Sequence, residues 1–531
     1  MRKNQNITPS LFSSNTANEG DSQENKIESK LNRRQENFLN EDNFSQIKEK
    51  ENTMKDELSL GHNFRNKMFN LKRLKQKMNI EEMHNLKNKL TISLELFEKC
   101  DKMNIGLSQF SEIINAFRTQ DINQKYYGLV GIRKLLLLSP SPIQELIDAE
   151  IIPELIGLLD NSPAEFQYEA LWCLTNIASG TTDQANNIVI KGGIPKIMKI
   201  MDSPIEELRI QVTYIIGNLA NVSLNIRDTL IKEKVYDKLL TILASTKQNN
   251  LIKHYTWAVS CFFRVRPIPP YDIVKKAIKI IARSFVILSG DSEFLSDAVF
   301  ILSFITEHYK EAIKDILELD IIQNIIKCLD IDIQFIQLSC LRVVGNIASG
   351  NANQTQLLID KNILFYLKKT IFNKTKTIRK ESAWIISNIA AGTQKQIENL
   401  ISENFLPILE QIIQKDEEEI KKECIWAVCN LTSVENPEYI KKILEQNILR
   451  IICDCLKMND AKYLAVCLEA LNNLLSFGKN NSINGVNPLV VELEKMRMCD
   501  VLEKLQYHPV EFVYDKTLKL LETYFEIQYN E

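Results

Sequence analysis

The sequence has little of what enzymes and metal proteins usually need. It contains five histidines and eleven cysteines, no two cysteines form a CxxC pair, and neither a glycine-rich phosphate loop nor a nucleophile motif occurs. Cys453 and Cys455 form a CxC that has no second ligand pair. Scattered cysteines of this kind are typical of small buried thiols in a reducing compartment. We therefore expect no enzymatic activity, no cofactor and no metal site.

Long apolar stretches are also missing. No run of about 18 apolar residues suggests a membrane span, and the opening MRKNQNITPSLFSS lacks the apolar stretch of a secretory signal. Hydrophobic residues nevertheless make up 45% of the 531 residues. This content is ample for an extended core, so we expect neither a membrane span nor an export signal.

The charge of the chain is unevenly distributed. Residues 1–105 carry 19 Lys and Arg against 16 Asp and Glu, whereas residues 106–531 carry 46 against 52. An acidic body argues against nucleic acid as the main ligand. It favours basic partners, among which the basic tail of the same chain is one candidate.

A short motif recurs every 42 or 43 residues along most of the chain. Its eight copies read LWCLTN, TYIIGN, TWAVSC, VFILSF, LRVVGN, AWIISN, IWAVCN and LEALNN. Their last residues are Asn176, Asn218, Cys261, Phe304, Asn346, Asn388, Asn430 and Asn473. A fixed period of this length predicts a stack of similar supersecondary units rather than one globular core.

Each repeat is predicted to contain three helices. In residues 393–430, the segments TQKQIENLISEN, FLPILEQIIQKD and EEEIKKECIWAVCNLTS are read as successive helices, with Pro407 in the first turn of the second. Gly180, Gly350 and Gly392 follow third helices, where we expect left-handed caps. No strand pattern competes with this interpretation. Three helices per repeat of this length is the armadillo plan.

Three regions are therefore predicted. Residues 1–59 are rich in Asn, Ser, Gln, Glu and Lys, and we expect a disordered tail there. Residues 60–105 are predicted to form a charged helical segment. Residues 106–527 are predicted to form an all-α armadillo solenoid of about ten repeats, wound as a right-handed superhelix.

Several third helices place a Trp four residues before the recurrent Asn, as Trp384 and Asn388 show. Residues four apart share one helix face. A row of Asn amides can hydrogen-bond an extended peptide backbone, and indole faces between them attract Lys or Arg by about 0.5–2 kcal/mol per contact. A single Trp is more often core, and a single Asn is more often a structural hydrogen bond. An Asn kept in phase six times is hard to explain by packing alone, so we predict a surface that binds cationic peptides.

The stretches EALWCLTNIASGTTDQ, LRVVGNIASGNANQTQLLID, KESAWIISNIAAGTQKQI and KKECIWAVCNLTS resemble importin-α, the adaptor that recognises nuclear localisation signals. The resemblance spans about residues 106–527. It implies a major signal-binding site in repeats two to four and a minor site in repeats six to eight. The implied major-site residues are Trp172, Asn176, Ser179, Gly180, Tyr214, Asn218 and Trp257. The implied minor-site residues are Arg342, Asn346, Glu381, Trp384, Asn388, Glu423, Trp426 and Asn430.

The major site departs from the family pattern at three positions. Tyr214 stands where the family has Trp, Val222 where it has an Asp that pairs with a ligand lysine, and Cys261 where it has Asn. Loss of the charged partner costs about 1.5–3 kcal/mol, more than tenfold in affinity. In repeat five, Phe300 and Phe304 replace Trp and Tyr, a conservative change. We therefore predict that the better-kept minor site carries more of the binding than is usual.

The segment 60–105 resembles the importin-β-binding segment of the family in position and pattern, with FRNK at its opening and ISLEL in its middle. Its basic residues in the corresponding stretch are Arg65, Lys67, Lys72, Arg73, Lys75, Lys77, Lys87 and Lys89. The family's arginine cluster is reduced here to Lys87, Asn88 and Lys89, which predicts weak binding to importin-β. An alternative is an amphipathic helix that only caps the first repeat.

The resemblance implies an adaptor that shuttles between cytoplasm and nucleus. Its expected partners are proteins with basic nuclear localisation signals, importin-β, and an export factor of the importin-β superfamily. Two alternatives remain open. One is an armadillo scaffold for cytoskeletal or signalling proteins, and the other is an importin-α relative that acts without importin-β.

Overall fold

The computed structural model describes residues 92–458 and 460–525. Within these ranges the chain is helical and contains no β-strand, with one isolated bridge between Ile483 and Val486. The predicted all-α fold is therefore confirmed. The predicted tail and most of the predicted segment 60–105 lie outside the described residues. The described residues fall into two compact units, which we call the amino-terminal unit (92–347) and the carboxy-terminal unit (348–525).

The helices of the amino-terminal unit follow one another with short connections, and the last of them ends at the border. They are α1 Leu94–Lys102, α2 Phe110–Phe117, α3 Ile122–Leu135, α4 Ile143–Asp148, α5 Ile151–Gly157, α6 Ala164–Ala178, α7 Thr182–Ile190, α8 Gly193–Ile200, α9 Glu206–Val222, α10 Leu224–Lys232, α11 Val235–Ser245, α12 Asn249–Cys261, α13 Tyr271–Ile287, α14 Ser292–His308, α15 Lys310–Glu318, α16 Ile322–Lys327 and α17 Gln334–Ala348. Short 3₁₀ turns cover Leu107–Gln109 and Cys328–Asp330.

The carboxy-terminal unit repeats the same order of two short helices and one long one. Its helices are α18 Ala352–Asp360, α19 Ile363–Thr370, α20 Lys376–Ala390, α21 Gln394–Ser402, α22 Phe405–Lys415, α23 Glu418–Leu431, α24 Pro437–Glu445, α25 Ile448–Cys455, α26 Ala461–Asn480, α27 Pro488–Lys495, α28 Cys499–Leu505 and α29 Glu511–Tyr524. The three helices predicted for residues 393–430 are confirmed as α21, α22 and α23, and Pro407 lies in the first turn of α22.

The long third helices pack side by side in each unit. In the amino-terminal unit α3 packs on α6, α6 on α9, α9 on α12 and α12 on α14, while in the carboxy-terminal unit α20 packs on α23 and α23 on α26. The interfaces are aliphatic and fully buried, as at Leu171, Leu174 and Ile177 of α6. Each such side chain stabilises the stack by about 1.5–3 kcal/mol. Every cysteine except Cys499 is buried in this core, which confirms the prediction of buried thiols.

The helix ends show why the prediction of left-handed caps was wrong at Gly180 and Gly392. The third helix α6 ends at Ser179 with φ −88°, and neither Gly180 nor Gly392 has positive φ. A Cβ on Gly180 would collide with the Gln184 side chain, which caps the backbone N–H of Thr181. The absence of a side chain at Gly180 therefore leaves space for Gln184, which forms a capping box with Thr181 at the start of α7. Thr393 and Gln396 form the same box beside Gly392.

Left-handed residues lie instead between the first and second helices of the repeats. Gly192, Lys234, Asn362, Asn404 and Asn447 all have φ between 61° and 78° and stand at the N-caps of the second helices. Three of these are Asn and one is Gly, the residue types that adopt this conformation most easily. The tight turn thus separates two short helices in each of these repeats.

Repeat five differs from the predicted three-helix plan. After α12 the chain turns through residues 262–270, and the single long helix α13 then leads to α14. Pro267, Pro269 and Pro270 lie in this turn. Because proline lacks a backbone N–H and disfavours helix in the preceding residue, the first helix of this repeat does not form.

Candidate functional site

The predicted site residues lie on the third helices. On each helix the aromatic and amide positions are four residues apart, as the sequence indicates. Trp172 and Asn176 lie on α6, Tyr214 and Asn218 on α9, and Trp257 and Cys261 on α12. Arg342 and Asn346 lie on α17, at the end of the amino-terminal unit. The carboxy-terminal unit holds Glu381, Trp384 and Asn388 on α20, and Glu423, Trp426 and Asn430 on α23. We call these aromatic and amide positions of the third helices the ladder. The ladder also includes Phe300 and Phe304 on α14 and Asn473 on α26.

The aromatic residues of the amino-terminal unit pack closely against their neighbours. Trp172 and Tyr214 are only 6% and 5% exposed, whereas Trp257 is half-buried. The rings of Tyr214 and Trp257 meet edge to face, with centroids 5.5 Å apart. Gly217 of α9 is required here, because a Cβ at this position would overlap the Trp257 ring.

The ring of Trp172 is already covered by a cation of this chain. The guanidinium of Arg133 lies 4.6 Å from the ring centroid, and its Nε donates to Glu169 Oε2 at 2.5 Å. Burial raises the pKa of the Glu169 carboxyl, and the charge of Arg133 opposes that rise. The slot that the sequence predicts at Trp172 is thus filled by a buried ion pair.

Several ladder amides bridge adjacent repeats. Asn218 Nδ2 donates to the Thr175 carbonyl at 3.1 Å, Asn346 Nδ2 to Thr306 Oγ1 at 3.0 Å, and Asn473 Nδ2 to Thr432 Oγ1 at 3.2 Å. Each of these bonds uses one of the two amide hydrogens. The amides therefore have a structural role between adjacent repeats.

Asn388 in the carboxy-terminal unit differs from these three. Its side chain is 5% exposed, and its Nδ2 has no hydrogen-bond partner among the described residues. A buried donor left unsatisfied costs about 1–3 kcal/mol, so a group of this kind calls for a specific explanation. A carbonyl oxygen supplied by a ligand would satisfy this donor.

The two consecutive ladder helices of the carboxy-terminal unit share one pattern. In each, an acid lies three residues before the Trp and seven before the Asn. Trp384 and Trp426 are half-buried, so part of each indole remains in contact with solvent. Ser387 Oγ lies 2.7 Å from Glu423 Oε2 and thereby fixes that carboxylate between the two helices. This arrangement offers negative charge, indole surface and an amide donor within two repeats.

The start of α20 carries three cations that pair with acids near α23. Lys376 and Lys380 each contact Glu419 at 3.0 Å, and Arg379 forms a two-bond pair with Asp416 at 2.8 and 2.9 Å. Hydrogen bonds from the two lysines lower the pKa of Glu419. This cluster ties the two ladder helices together.

In repeat five the ladder is covered. The rings of Phe300 and Phe304 are 4% and 3% exposed, and their centroids lie 4.5 Å apart. The guanidinium of Arg264 lies 4.8 Å from the Phe300 centroid, and that of Arg266 lies 5.2 Å from the Phe304 centroid. From the sequence, Phe300 and Phe304 are conservative replacements, and nothing in it indicates the two arginines that lie over their rings.

Three further positions of the predicted major site differ in their exposure to solvent. Ser179 is exposed, and its Oγ donates to the Asn176 carbonyl at 2.7 Å. Val222 is half-buried and Cys261 is buried. The basic residues predicted to contact importin-β (Arg65, Lys67, Lys72, Arg73, Lys75, Lys77, Lys87 and Lys89) lie outside the described residues.

The last part of the predicted segment 60–105 is described and packs on the first repeat. Helix α1 begins after the N-cap Ser93 and packs against α3. Lys134 Nζ donates to the carbonyls of Asp101 and Met103 at 2.6 and 2.7 Å, and Cys100 is buried. For residues 92–103 these contacts favour the alternative interpretation, a helix that caps the first repeat.

Across residues 92–458 and 460–525, no three His, Cys, Asp or Glu side chains are grouped so that they could hold a metal ion. Over the same ranges, every helix is too short or too polar to cross a membrane.

Known proteins similar to this chain share the repeat. Residues 139–179 and 393–433 match the family described as Armadillo/beta-catenin-like repeat, which confirms the armadillo prediction. Importin subunit alpha-1b of Oryza sativa subsp. japonica is 35% identical over 78% of this chain and 78% of its own length. Importin subunit alpha-3 of Arabidopsis thaliana is 34% identical over 76% and 77%. The crystal structure of an engineered protein covers 79% of this chain and 98% of its own, with a TM-score of 0.64 and 22% identity, and supports the fold alone.

Proposed function

The chain belongs to the importin-α family, and on that premise we propose that it binds lysine-rich nuclear localisation signals of cargo proteins along the ladder. As a nuclear import adaptor it would link these cargoes to importin-β and shuttle between cytoplasm and nucleus. Such an adaptor has no catalytic chemistry of its own. A nuclear export factor of the importin-β superfamily would return it to the cytoplasm.

The observation that carries this proposal is the pair of ladder helices α20 and α23. Each presents an acid, a half-buried Trp and an Asn on one face, and Asn388 holds a buried donor without a partner. The acids attract a lysine ammonium, the indole packs along its aliphatic stem, and the amide binds the peptide backbone. An extended peptide advances about 3.3 Å per residue, and equivalent helices of adjacent repeats lie about 8–10 Å apart. Each repeat would therefore serve about three peptide residues.

The amino-terminal unit contributes less in this proposal. Arg133 lies over the ring of Trp172, and Val222 and Cys261 offer neither a carboxylate nor an amide. A lysine that enters there would have to displace a guanidinium held by a buried carboxylate. Asn218 and Trp257 remain able to contact a peptide, since both are half-buried. We therefore assign the tighter site to the carboxy-terminal unit.

The contact with importin-β would use basic residues that precede α1. Eight Lys and Arg stand between Phe64 and Lys89, against two acids. A segment of this low charge is expected to bind weakly and with a modest salt dependence.

The test is calorimetric titration of the full chain with a peptide that carries one lysine-rich nuclear signal. The matched control is the same peptide with its lysines replaced by alanine. Saturable binding of the lysine peptide, lost with the control peptide, supports the proposal, and no binding of either peptide refutes it. A second titration with importin-β separates the adaptor from a relative that acts without importin-β.

A further inference from the structure

Three cysteines of the carboxy-terminal unit are arranged in a row, and we call them the thiol triad. Cys429 lies on α23, Cys455 ends α25 and Cys467 lies on α26. Cys429 Sγ lies 3.8 Å from Cys467 Sγ, and Cys467 also shares a hydrogen bond with the thiol of Cys455. Their arrangement is not one that could hold a metal ion. Cys467 is the middle member and contacts both of the others.

The thiol triad is enclosed in the core. Cys429 is 4% exposed, Cys455 is 3% exposed and Cys467 is fully buried. The hydrogen bond with Cys429 and burial raise the pKa of Cys467. Because the thiolate is the form that reacts with oxidants, the triad reacts slowly at neutral pH. It therefore stays reduced in a reducing compartment and responds only to a sustained oxidant.

The contact between Cys429 and Cys467 joins two consecutive repeats. The two residues lie on successive third helices, and α23 packs on α26. The thiols of Cys328 and Cys340 in the amino-terminal unit are also hydrogen-bonded. These two belong to a 3₁₀ turn and a third helix of the same repeat, however. A bond between Cys429 and Cys467 would therefore act on the joint between repeats, which a bond between Cys328 and Cys340 would not.

We propose that Cys429 and Cys467 are a redox modification site, at which a peroxide joins two adjacent repeats through a disulfide. Cys429, the more exposed of the two, reacts first: its sulfur bonds to one oxygen of hydrogen peroxide, the O–O bond breaks, and a sulfenic acid and one water result. The Cys467 sulfur then attacks the Cys429 sulfur, the S–O bond breaks, and the leaving hydroxide takes the Cys467 proton as a second water. The two thiols lose two electrons, which reduce the peroxide.

The disulfide should weaken peptide binding, a consequence that rests on the proposed function. Cys429 directly precedes Asn430, whose amide belongs to the ladder. An S–S bond is about 2.05 Å long, so the two sulfurs must approach each other by about 1.8 Å. In a close-packed core we expect such a shift to displace the backbone at Cys429. The Asn430 amide then no longer meets the peptide backbone at hydrogen-bond distance.

The experiment exposes the full chain to hydrogen peroxide, traps the remaining thiols with N-ethylmaleimide in denaturant, and maps disulfides by mass spectrometry. We expect a disulfide between Cys429 and Cys467, which Cys467→Ala should abolish. The matched control Cys424→Ala removes a buried thiol of the same helix that lies outside the triad, and it should keep the disulfide. Fluorescence anisotropy with a lysine-rich peptide should show an affinity loss of about fivefold on oxidation, equivalent to one hydrogen bond, which dithiothreitol reverses.

The outcomes separate this inference from the proposed function. If the reduced chain does not bind the peptide, the proposed function fails, while the disulfide map still decides the modification site. If no disulfide forms, or if Cys467 pairs with Cys455 instead, the inference is overturned. An unchanged affinity after the disulfide has formed, or an equal loss in oxidised Cys467→Ala, overturns the link to the ladder. If Cys467→Ala does not fold, Cys429→Ala replaces it in the disulfide map, because the bond needs both sulfurs.

Discussion

Arg133 and Trp172 form a stacked pair inside the protein, with the guanidinium 4.6 Å from the indole centroid. The pair joins the third helices of the first two repeats, and Glu169 holds the arginine from the side. A position that resembles a ligand slot in the sequence is therefore part of the core in the structure.

Arg133→Ala should destabilise the protein by about 3–5 kcal/mol, because it leaves the buried Glu169 carboxylate without a partner. Urea unfolding followed by circular dichroism measures this change. Arg133→Met combined with Glu169→Leu should recover most of the loss, since no buried charge remains. Arg118→Ala, which breaks an exposed pair with Glu154, should cost less than about 1 kcal/mol. Equal losses for Arg133→Ala and Arg118→Ala would contradict this interpretation.

Alanine at Asn388 or Asn430 should weaken the binding of a lysine-rich peptide about fivefold to tenfold, which corresponds to one lost hydrogen bond. Alanine at Asn176 or Asn218 should weaken it less, because the amino-terminal unit contributes less. Isothermal titration calorimetry of the four variants gives the order directly. Asn399→Ala is the control, because Asn399 lies half-buried on the first helix α21, outside the ladder, and its side-chain amide donates to the Lys395 carbonyl. The reverse order of the two pairs would refute the assignment.

The ion pairs between α20 and α23 should make the carboxy-terminal unit sensitive to acid. Burial raises the pKa of Asp416, but its hydrogen bonds with Arg379 outweigh that effect and hold the pKa below its usual value. Glu419 is lowered by Lys376 and Lys380. Groups with depressed pKa values stabilise the fold above their unfolded pKa values. They lose this contribution as the pH falls from about 5 through their folded values.

Asp416→Asn combined with Glu419→Gln should therefore lower stability near pH 7 and flatten its decrease toward pH 3. The effect is on the order of 1 kcal/mol or less, since the pairs are partly exposed to solvent. Urea midpoints measured across this pH range test the expectation. Glu435→Gln, at an exposed position after α23, should leave the pH dependence unchanged. The same slope in the double variant and the wild type would rule out this role.

Gly392→Ala should destabilise the carboxy-terminal unit by about 0.5–2 kcal/mol. The new Cβ would collide with the Gln396 side chain, and the capping box at the start of α21 would be lost. Thermal unfolding provides the comparison. Gly157→Ala is the matched control, because a Cβ there meets nothing within 4 Å, and it should be neutral or slightly stabilising. If both variants behave alike, the capping explanation is wrong.

Local patterns in the sequence were enough to predict the third helices and their phase. The spacing between Asn388 and Asn430 equals one repeat, and both fall on the same face of consecutive third helices. Pro407 marks the start of α22 correctly because its effect on the backbone is local. The glycines were misread because Gly392 is required by a side chain four residues away rather than by its own φ.

The arginines that lie over Trp172 and Phe300 could not be predicted from local patterns. Arg264 and Phe300 are 36 residues apart, and so are Arg133 and Glu169. No periodic pattern specifies which cation of one repeat reaches the ring or acid of the next. The prolines at 267, 269 and 270 were a readable signal that the first helix of repeat five is missing, since proline interrupts helices. The position of Arg264 depends on that interruption.

The side-chain amides of Asn218 and Asn473 each donate a hydrogen bond to the preceding repeat. A substitution at Asn218 or Asn473 would remove a hydrogen bond between two adjacent repeats. Under the proposed function it would also change the contact with a ligand. Under that function, a substitution that changes ligand preference at these two positions should therefore also weaken the packing between neighbouring repeats. The turn of repeat five is tied to its neighbours in a similar way, because Arg227 donates to the carbonyls of Val265 and Pro267 and the Tyr309 hydroxyl donates to that of Pro269.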